Sequence, residues 1–233
     1  MSINFFFLVP TLNSSACLPR LIGSLKKQTY LNWRVLFVDG ESESKHRNWL
    51  IDFCSNEEKF SWIEQKNKKG IYTAMNYGFH NVKQDEWLLF WGSDDWAENQ
   101  NILKDLNKTI NDLSIKDEVP DLLISQATYI NKKREIRKTK FKKILNYKLS
   151  LFLGESPPHQ ASVFGPGTRK INQEYSDKYI LASDLDYFCK LACVKKLKVG
   201  LHKKSIVKLG SGGISQRKNL LRLKEVIIIY KKY

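Results

Sequence analysis

Two short acidic runs stand out for what they could bind. Asp39-Gly40-Glu41-Ser42 and Gly92-Ser93-Asp94-Asp95 each follow an unbroken apolar stretch, Val35 to Val38 and Trp87 to Trp91. If those stretches lie side by side in a sheet, Asp39, Asp94 and Asp95 crowd at one end of it and repel one another unless a cation sits among them. Hard carboxylate oxygens suit Mg2+ or Mn2+. The plainer alternative is that Asp39 and Asp95 cap the helices that follow, as Asp often does. That alternative accounts for any one carboxylate alone; the set points to a cation.

The elements that would position these groups can be read from periodicity. Phe5 to Pro10 is a buried strand, and Ala16 to Gln28, with Leu18, Leu21, Ile22 and Leu25 at helical spacing, is the helix after it. Val35 to Val38, Phe60 to Ile63 and Trp87 to Trp91 are further strands; Trp49 to Cys54, Ile71 to His80 and Ile102 to Ile110 fall in the helices between and after them. Strand and helix in alternation predict an α/β fold with a mostly parallel sheet, whose ligands gather beyond the carboxyl ends of the strands. Past residue 120 the pattern loosens. Leu122 to Tyr129 and Ile130 to Lys140 suggest a strand pair, Lys142 to Leu153 a basic amphipathic helix, Ala161 to Phe164 a strand. Ser183-Asp184-Leu185-Asp186 opens another helix with Ser183 or Asp184 as its N-cap, and a short strand or two precede the loop Gly210 to Gly213.

With 233 residues, 42% of them hydrophobic, the chain can bury one well-packed domain, which argues against disorder over most of it. No apolar run approaches the ~18 residues of a membrane span, and the opening segment lacks the basic region and cleavage site of a signal peptide, so a cytosolic address is expected. Cysteines at 17, 54, 189 and 193 form no C-x-x-C pair, which argues against a disulfide framework or structural zinc. Up to residue 128 there are 14 basic and 17 acidic side chains; beyond it there are 25 and 7. Such an asymmetry marks an anionic partner on one side of the molecule.

Val9-Pro10-Thr11-Leu12-Asn13, Ser24 to Tyr30, Val38 to Ser42, Gly70 to Gly78 and Gly92-Ser93-Asp94-Asp95, in that order, resemble glycosyltransferase family 2. Pro158-His159-Gln160, Ala182 to Tyr187 and Gly212-Gly213-Ile214-Ser215 follow where its bacterial polysaccharide members carry their later motifs. Each motif is short; the ordered set is specific. The resemblance implies a GT-A-like α/β fold with a mostly parallel central sheet flanked by helices and a smaller mixed acceptor-side region. It implies one domain over 1–233: a nucleotide-sugar-binding half (1–128), an acceptor-side half (129–215) and a basic amphipathic C-terminal segment (216–233). The implied reaction is inverting transfer from a nucleoside diphosphate sugar, usually UDP-linked, to a saccharide or lipid-linked saccharide in bacterial surface polysaccharide synthesis. An inverting displacement needs a base on one side of the anomeric carbon and a sink for the departing charge on the other.

Carried over residue by residue, the resemblance makes Asp94 the ligand of Mn2+ or Mg2+, with Asp95 as a second ligand or orienter. His159 is either a metal or diphosphate ligand or an ordinary hydrogen-bonded loop residue. Asp39 accepts from the nucleobase, while Pro10, Thr11 and Asn13 wall the nucleoside pocket. Lys69, Gly70, Asn76 and Ser93 complete the donor contacts. Asp184 is the general base, with Asp186, two residues on, as the alternative; Tyr72, Met75 and Tyr77 are read as core packing, and His46, His80 and His202 receive no role. The chain departs from the family pattern at Lys68, Thr73 and Gly92, where relatives often carry acidic residues. Lys68 and Lys69 could contact the diphosphate directly, or the donor could differ from the usual one.

The basic excess falls in the acceptor-side half. Lys132-Lys133-Arg134, Arg137 to Lys143 and the segment Leu220 to Lys232 would suit an anionic membrane surface or simply form a solvated face. A nucleic-acid-binding module is the rival of a different class, and a catalytically inactive nucleotide-sugar binder a third reading. No nucleic-acid partner is expected: no RNP-like, KH or zinc-finger signature appears, and Phe5, Phe6, Phe7, Trp87 and Phe90 lie in expected buried strands.

Overall fold

The computed structural model describes residues 1–66, 70–131, 134–138, 147–210 and 219–233. In the first half β1 (Asn4–Thr11), α1 (Leu18–Lys26), β2 (Trp33–Asp39), α2 (Ser44–Ser55), β3 (Phe60–Glu64), α3 (Ile71–Asn81) and β4 (Glu86–Phe90) alternate as the periodicity requires. The run Phe5 to Val9 is wholly buried because the sheet is covered on both faces. Phe5, Phe7 and Val9 enter one core layer with Leu18, Leu21 and Leu25 of α1; Phe6 and Leu8 enter the other with Ala74, Met75 and Phe79 of α3. Phe5, Phe6, Phe7, Trp87 and Phe90 are at most 3% exposed, so these rings cannot stack on bases.

The chain continues through β5 (Trp96–Ala97), α4 (Ile102–Ile115), β6 (Leu122–Asn131), β7 (Arg134–Lys138), α5 (Tyr147–Phe152), a 3-10 turn (His159–Ala161) and β8 (Ser162–Phe164). Last come α6 (Pro166–Ile171), α7 (Ser183–Ala192), β9 (Val199–Leu209) and α8 (Asn219–Lys232). One sheet runs in the order β3-β2-β1-β4-β8-β6-β9-β5, with β7 paired to β6. The pairs β3-β2, β2-β1 and β1-β4 are parallel, as is β6-β9; β8 joins β4 and β6 antiparallel, and β5 joins β9 the same way. The fold is therefore the expected α/β architecture, with the mixed part of the sheet on the later residues.

Three expectations need adjusting. The short strands expected before Gly210 are the single strand β9. The N-cap of α7 is Ala182, and Ser183 and Asp184 lie inside the helix; neither caps it. Of the helix expected from Lys142 to Leu153, the described part is α5, and residues 141–146 lie outside the described residues, as do most of the basic cluster at 132–143 and the loop 211–215. The four cysteines are unpaired, and burial in α7 pushes the Cys189 thiol up to about 12.

Candidate active site

Strand order places the site. The chain moves outward from β1 to β2 and β3, then returns to add β4 on the other side of β1, and such a reversal opens a crevice beyond the strand ends. In register, Thr11 lies beside Asp39 and Asp39 beside Glu64. Thr11 Oγ1 donates to Asp39 Oδ1 at 3.1 Å, Ser42 Oγ to the same oxygen at 2.5 Å, and the Ser42 amide to Oδ2 at 3.0 Å. The two loops are also stitched from Asn13: its amide donates to Ser42 Oγ at 2.8 Å, and its Oδ1 accepts from the Glu43 amide at 2.8 Å. Asp39 is wholly buried, so in this conformation its carboxylate is the knot between the loops and offers no exposed oxygen to a base. Pro10 is half-buried at the end of β1, and Asn13 is exposed.

At the end of β4 the chain turns back on itself. Gly92 N donates to Asp95 Oδ2 at 2.6 Å, and Asp95 N returns a bond to Gly92 O at 3.1 Å. Burial, and then the neighbouring Asp94 charge, hold the Asp95 carboxyl well above the usual range. Asp95 thus fastens the turn and is not placed as a second ligand. Asp94 is different: its half-buried carboxylate makes no hydrogen bond to the described residues. A Cβ on Gly92 would come 2.9 Å from Oδ1, and one on Gly210 2.9 Å from Oδ2, so two glycines leave the cradle around Asp94 open. Ser93 is half-buried beside it.

Of the two readings of His159, its contacts match the hydrogen-bonded residue. His159 Nε2 is 2.7 Å from Tyr175 Oη, and its ring packs against Phe90, Phe164 and Phe188. Among the described residues no three His, Cys, Asp or Glu side chains converge as metal ligands, so the expected set Asp94, Asp95 and His159 does not assemble. What remains, the single half-buried Asp94 carboxylate, fits a cation of the Mg2+ type, which needs only one or two protein carboxylates. It does not fit an all-protein cage.

Asp184 sits in the first turn of α7, half-buried, with Oδ1 2.9 Å from Tyr72 Oη and 2.9 Å from the Leu185 amide. Asp186 is wholly buried; Lys232 Nζ at 2.7 Å, Tyr233 Oη at 3.1 Å and Lys190 Nζ at 3.6 Å hold it. Asn76, expected at the donor, has both polar atoms committed, its Nδ2 donating to Tyr175 O at 3.1 Å and its Oδ1 accepting from Tyr175 N at 2.7 Å. Gly70, exposed and with φ of 129°, opens α3 and accepts from Gln65 Nε2 at 3.1 Å. Lys68 and Lys69 lie outside the described residues.

A sequence profile described as Glycosyl transferase family 2 matches residues 6–176. The chain belongs to glycosyltransferase family 2. A PGL/p-HBAD biosynthesis glycosyltransferase of Mycobacterium tuberculosis is 34% identical over 91 residues, 39% of this chain and 35% of that protein. Glycosyltransferase GlyA of Streptococcus pneumoniae is 30% identical over 103 residues, 44% and 14%. The chain thus spans about a third of the mycobacterial relative it matches and less of the streptococcal one. Among solved structures, Staphylococcus aureus TarS 1-349 in complex with UDP-GlcNAc superposes with a TM-score of 0.71 at 20% identity, covering 91% of this chain and 59% of that one. Mannosyltransferase PcManGT of Pyrobaculum calidifontis, in complex with GDP-Man and Mn2+, does so with a TM-score of 0.69 at 11% identity, covering 100% and 64%. At such identities the likeness is one of fold, and the fold is GT-A.

Two further contacts fall on Tyr72, read from the sequence as core packing, and on His46, which has no expected role. Tyr72 touches Asp184, and its phenol is held well above the ordinary value by burial and by that carboxylate. His46 Nε2 lies 3.4 Å from Asp39 Oδ1, and neither of its ring nitrogens makes a hydrogen bond to the described residues. No spacing in the sequence announces either contact. His46, His159 and His202 all lie below the imidazole value of 6.5, in each case first through burial, with Asp39 opposing at His46 and Asp184 at His159. Each binds its proton less readily folded than unfolded, so their contribution to stability is present above pH 6.5 and lost as pH falls below it. Asp95 works the other way, since a carboxyl raised by burial is protonated more readily in the folded chain. NMR titration of the imidazole C2 protons should give midpoints below 6.5 for all three; one above it for His46 would mean that Asp39 outweighs burial.

Proposed function

We propose that this chain is an inverting glycosyltransferase that takes a sugar from a nucleoside diphosphate donor, UDP-linked in the first instance, and delivers it to a saccharide or lipid-linked saccharide acceptor. The observation that carries the reading is the pair of available carboxylates: Asp94 in its glycine cradle at the end of β4, and Asp184 at the start of α7. The relatives support it, since the solved complexes of similar fold hold UDP-GlcNAc or GDP-Man with Mn2+.

In this reading the stitched loops at Thr11, Asn13 and Asp39 form the nucleoside wall, with Pro10 at its edge. Asp94 would hold Mn2+ or Mg2+, which when bound supplies positive charge for the departing diphosphate. Ser93 lies beside it. Asp184 Oδ2, opposite the oxygen that Tyr72 engages, accepts the acceptor's hydroxyl proton as that oxygen attacks the anomeric carbon. The sugar–diphosphate bond breaks on the far face, so one C–O bond forms as one is lost and the configuration inverts. Asp186 cannot serve, because it is buried and neutralised by Lys232.

The acceptor-side surface fits a peripheral place on an anionic membrane. On α8, Leu220, Leu223, Ile227 and Ile228 are exposed, interleaved with exposed Arg222, Lys224 and Lys231, while its one acid, Glu225, faces inward. No helix among the described residues is long and apolar enough to cross a membrane. A lipid-linked acceptor at such a face would suit surface polysaccharide synthesis.

Ligand-induced stabilisation tests the donor assignment. At a UDP concentration of ~100 Kd the gain is about 2.7 kcal/mol, which for a chain of this size raises Tm by roughly 5–10 °C. That rise should require Mn2+ or Mg2+; no rise with any nucleoside diphosphate would reject the donor site. Sedimentation with anionic vesicles at low salt, and its absence with zwitterionic ones, checks the membrane face in the same preparation.

A further inference from the structure

The single acid of α8 is used in an unexpected way. Glu225 is 6% exposed, and its carboxylate accepts three successive backbone N–H groups: Ile180 at 2.8 Å through Oε1, and Leu181 and Ala182 at 2.8 and 2.9 Å through Oε2. These amides lead directly into α7, where no side chain of α7 itself provides a cap. A carboxylate at a helix N-terminus faces the positive end of the helix dipole, and its bonds to backbone amides are charge-assisted. Two residues past Ala182 is Asp184.

The same face of α8 grips α7 a second time. Glu225, Ile229 and Lys232 recur at helical spacing; Ile229 is wholly buried, and Lys232 reaches Asp186 at 2.7 Å. The segment before Asp184 is held from the other side as well. Tyr72 Oη lies 3.1 Å from Leu181 O and 2.9 Å from Asp184 Oδ1, and Ser183 Oγ donates to Ser176 O at 2.8 Å. Asp184 therefore stands between Tyr72 on α3 and a backbone that Glu225 fixes from α8.

We infer that Glu225 is a positioning residue for the reaction: it sets the backbone from which Asp184 reaches the acceptor hydroxyl. The inference rests on the assignment of Asp184 as the base. It gives the C-terminal helix a part in catalysis separate from its outward-facing apolar and basic surface. Donor binding does not pass through this contact, because the nucleoside wall and Asp94 stand on the loops after β1, β2 and β4. Misplacing a base by about 1 Å costs on the order of 10²-fold in rate.

The test compares wild type, Glu225→Ala, Glu225→Gln, Asp184→Asn and Asp184→Asn/Glu225→Ala for steady-state transfer, UDP binding and donor hydrolysis. Glu225→Ala should lower kcat by ~10²-fold with donor KM and UDP affinity nearly unchanged, and should shift the product ratio from transfer towards hydrolysis. Glu225→Gln, which keeps one carbonyl acceptor, should fall between. The double variant should match Asp184→Asn alone, since the two residues act in series. Wild-type kcat in Glu225→Ala, or its full loss repeated on top of Asp184→Asn, would overturn the inference while leaving the donor reading intact. If Glu225→Ala does not fold, Glu225→Gln decides, and a change in KM without one in kcat counts against the inference. Wild-type protein that binds no UDP and transfers nothing would instead remove the reading on which the inference stands.

Discussion

Asp184→Asn should reduce sugar transfer by about 10²–10⁴-fold, the usual worth of a positioned general base, while UDP binding stays close to wild type. Asn is nearly isosteric, and its oxygen can still accept from Tyr72 and from the Leu185 amide, the two contacts that Asp184 Oδ1 makes. What it loses is the ability to take a proton. Asp186→Ala provides the contrast that its position demands. Removing a wholly buried carboxylate bound by Lys232 and Tyr233 should cost stability, on the order of 1–3 kcal/mol, and detach the end of α8. The remaining folded fraction should keep much of its turnover per molecule. Steady-state kinetics with urea denaturation separates the two effects. A near wild-type rate in Asp184→Asn would remove Asp184 as the base, and a pure kinetic loss in Asp186→Ala would contradict the structural role of its buried ion pair.

The first half of this fold was legible because its signal is local. Phe5 to Val9 and Trp87 to Trp91 are apolar without interruption, which only a strand covered on both faces tolerates, and the helices between carry their own spacing. Chain order then puts Asp39 and Asp94 at strand ends. Which atoms those carboxylates meet was not legible. Asp39 reads as an exposed acceptor because its neighbours Thr11 and Ser42 close over it only when β1 and β2 pair in register. Asp94 and Asp95 are adjacent and chemically alike, yet one fastens a turn and the other is left available, a difference set by Gly92 and by Gly210, more than a hundred residues away. The later half depends almost wholly on such distant contacts. Tyr72 with Asp184, Asn76 with Tyr175 and Glu225 with Leu181 join residues whose spacing carries no period. A helix pattern reports which face is buried and not what lies across it, so Asn76 reads as a ligand contact although it clamps a loop; for His159 the sequence leaves ligand and loop residue equally open, and only the enclosing aromatic rings decide.

Gly210 supplies the means to test Asp94 without removing it. Asp94→Ala should abolish metal-dependent stabilisation by UDP and lower transfer by roughly 10²–10³-fold, the scale of losing one preorganised electrostatic group. That result alone would not separate a lost ligand from a damaged turn, because Asp94 also raises the Asp95 carboxyl, and Asp95 fastens the turn. Gly210→Ala leaves every carboxylate in place. Its Cβ would meet Asp94 Oδ2 at 2.9 Å and the Asp94 backbone oxygen at 3.0 Å, so either the carboxylate or β9 must shift. If Asp94 acts through a cation, the displaced carboxylate should weaken Mn2+-dependent binding of UDP while UDP binding measured in chelator stays the same in wild type, Asp94→Ala and Gly210→Ala. A purely structural role predicts the opposite pattern, with thermal stability falling in both variants and metal-free binding falling with it. The metal-dependent increment in UDP affinity, not total activity, therefore decides whether the opening between Gly92 and Gly210 is a cation site.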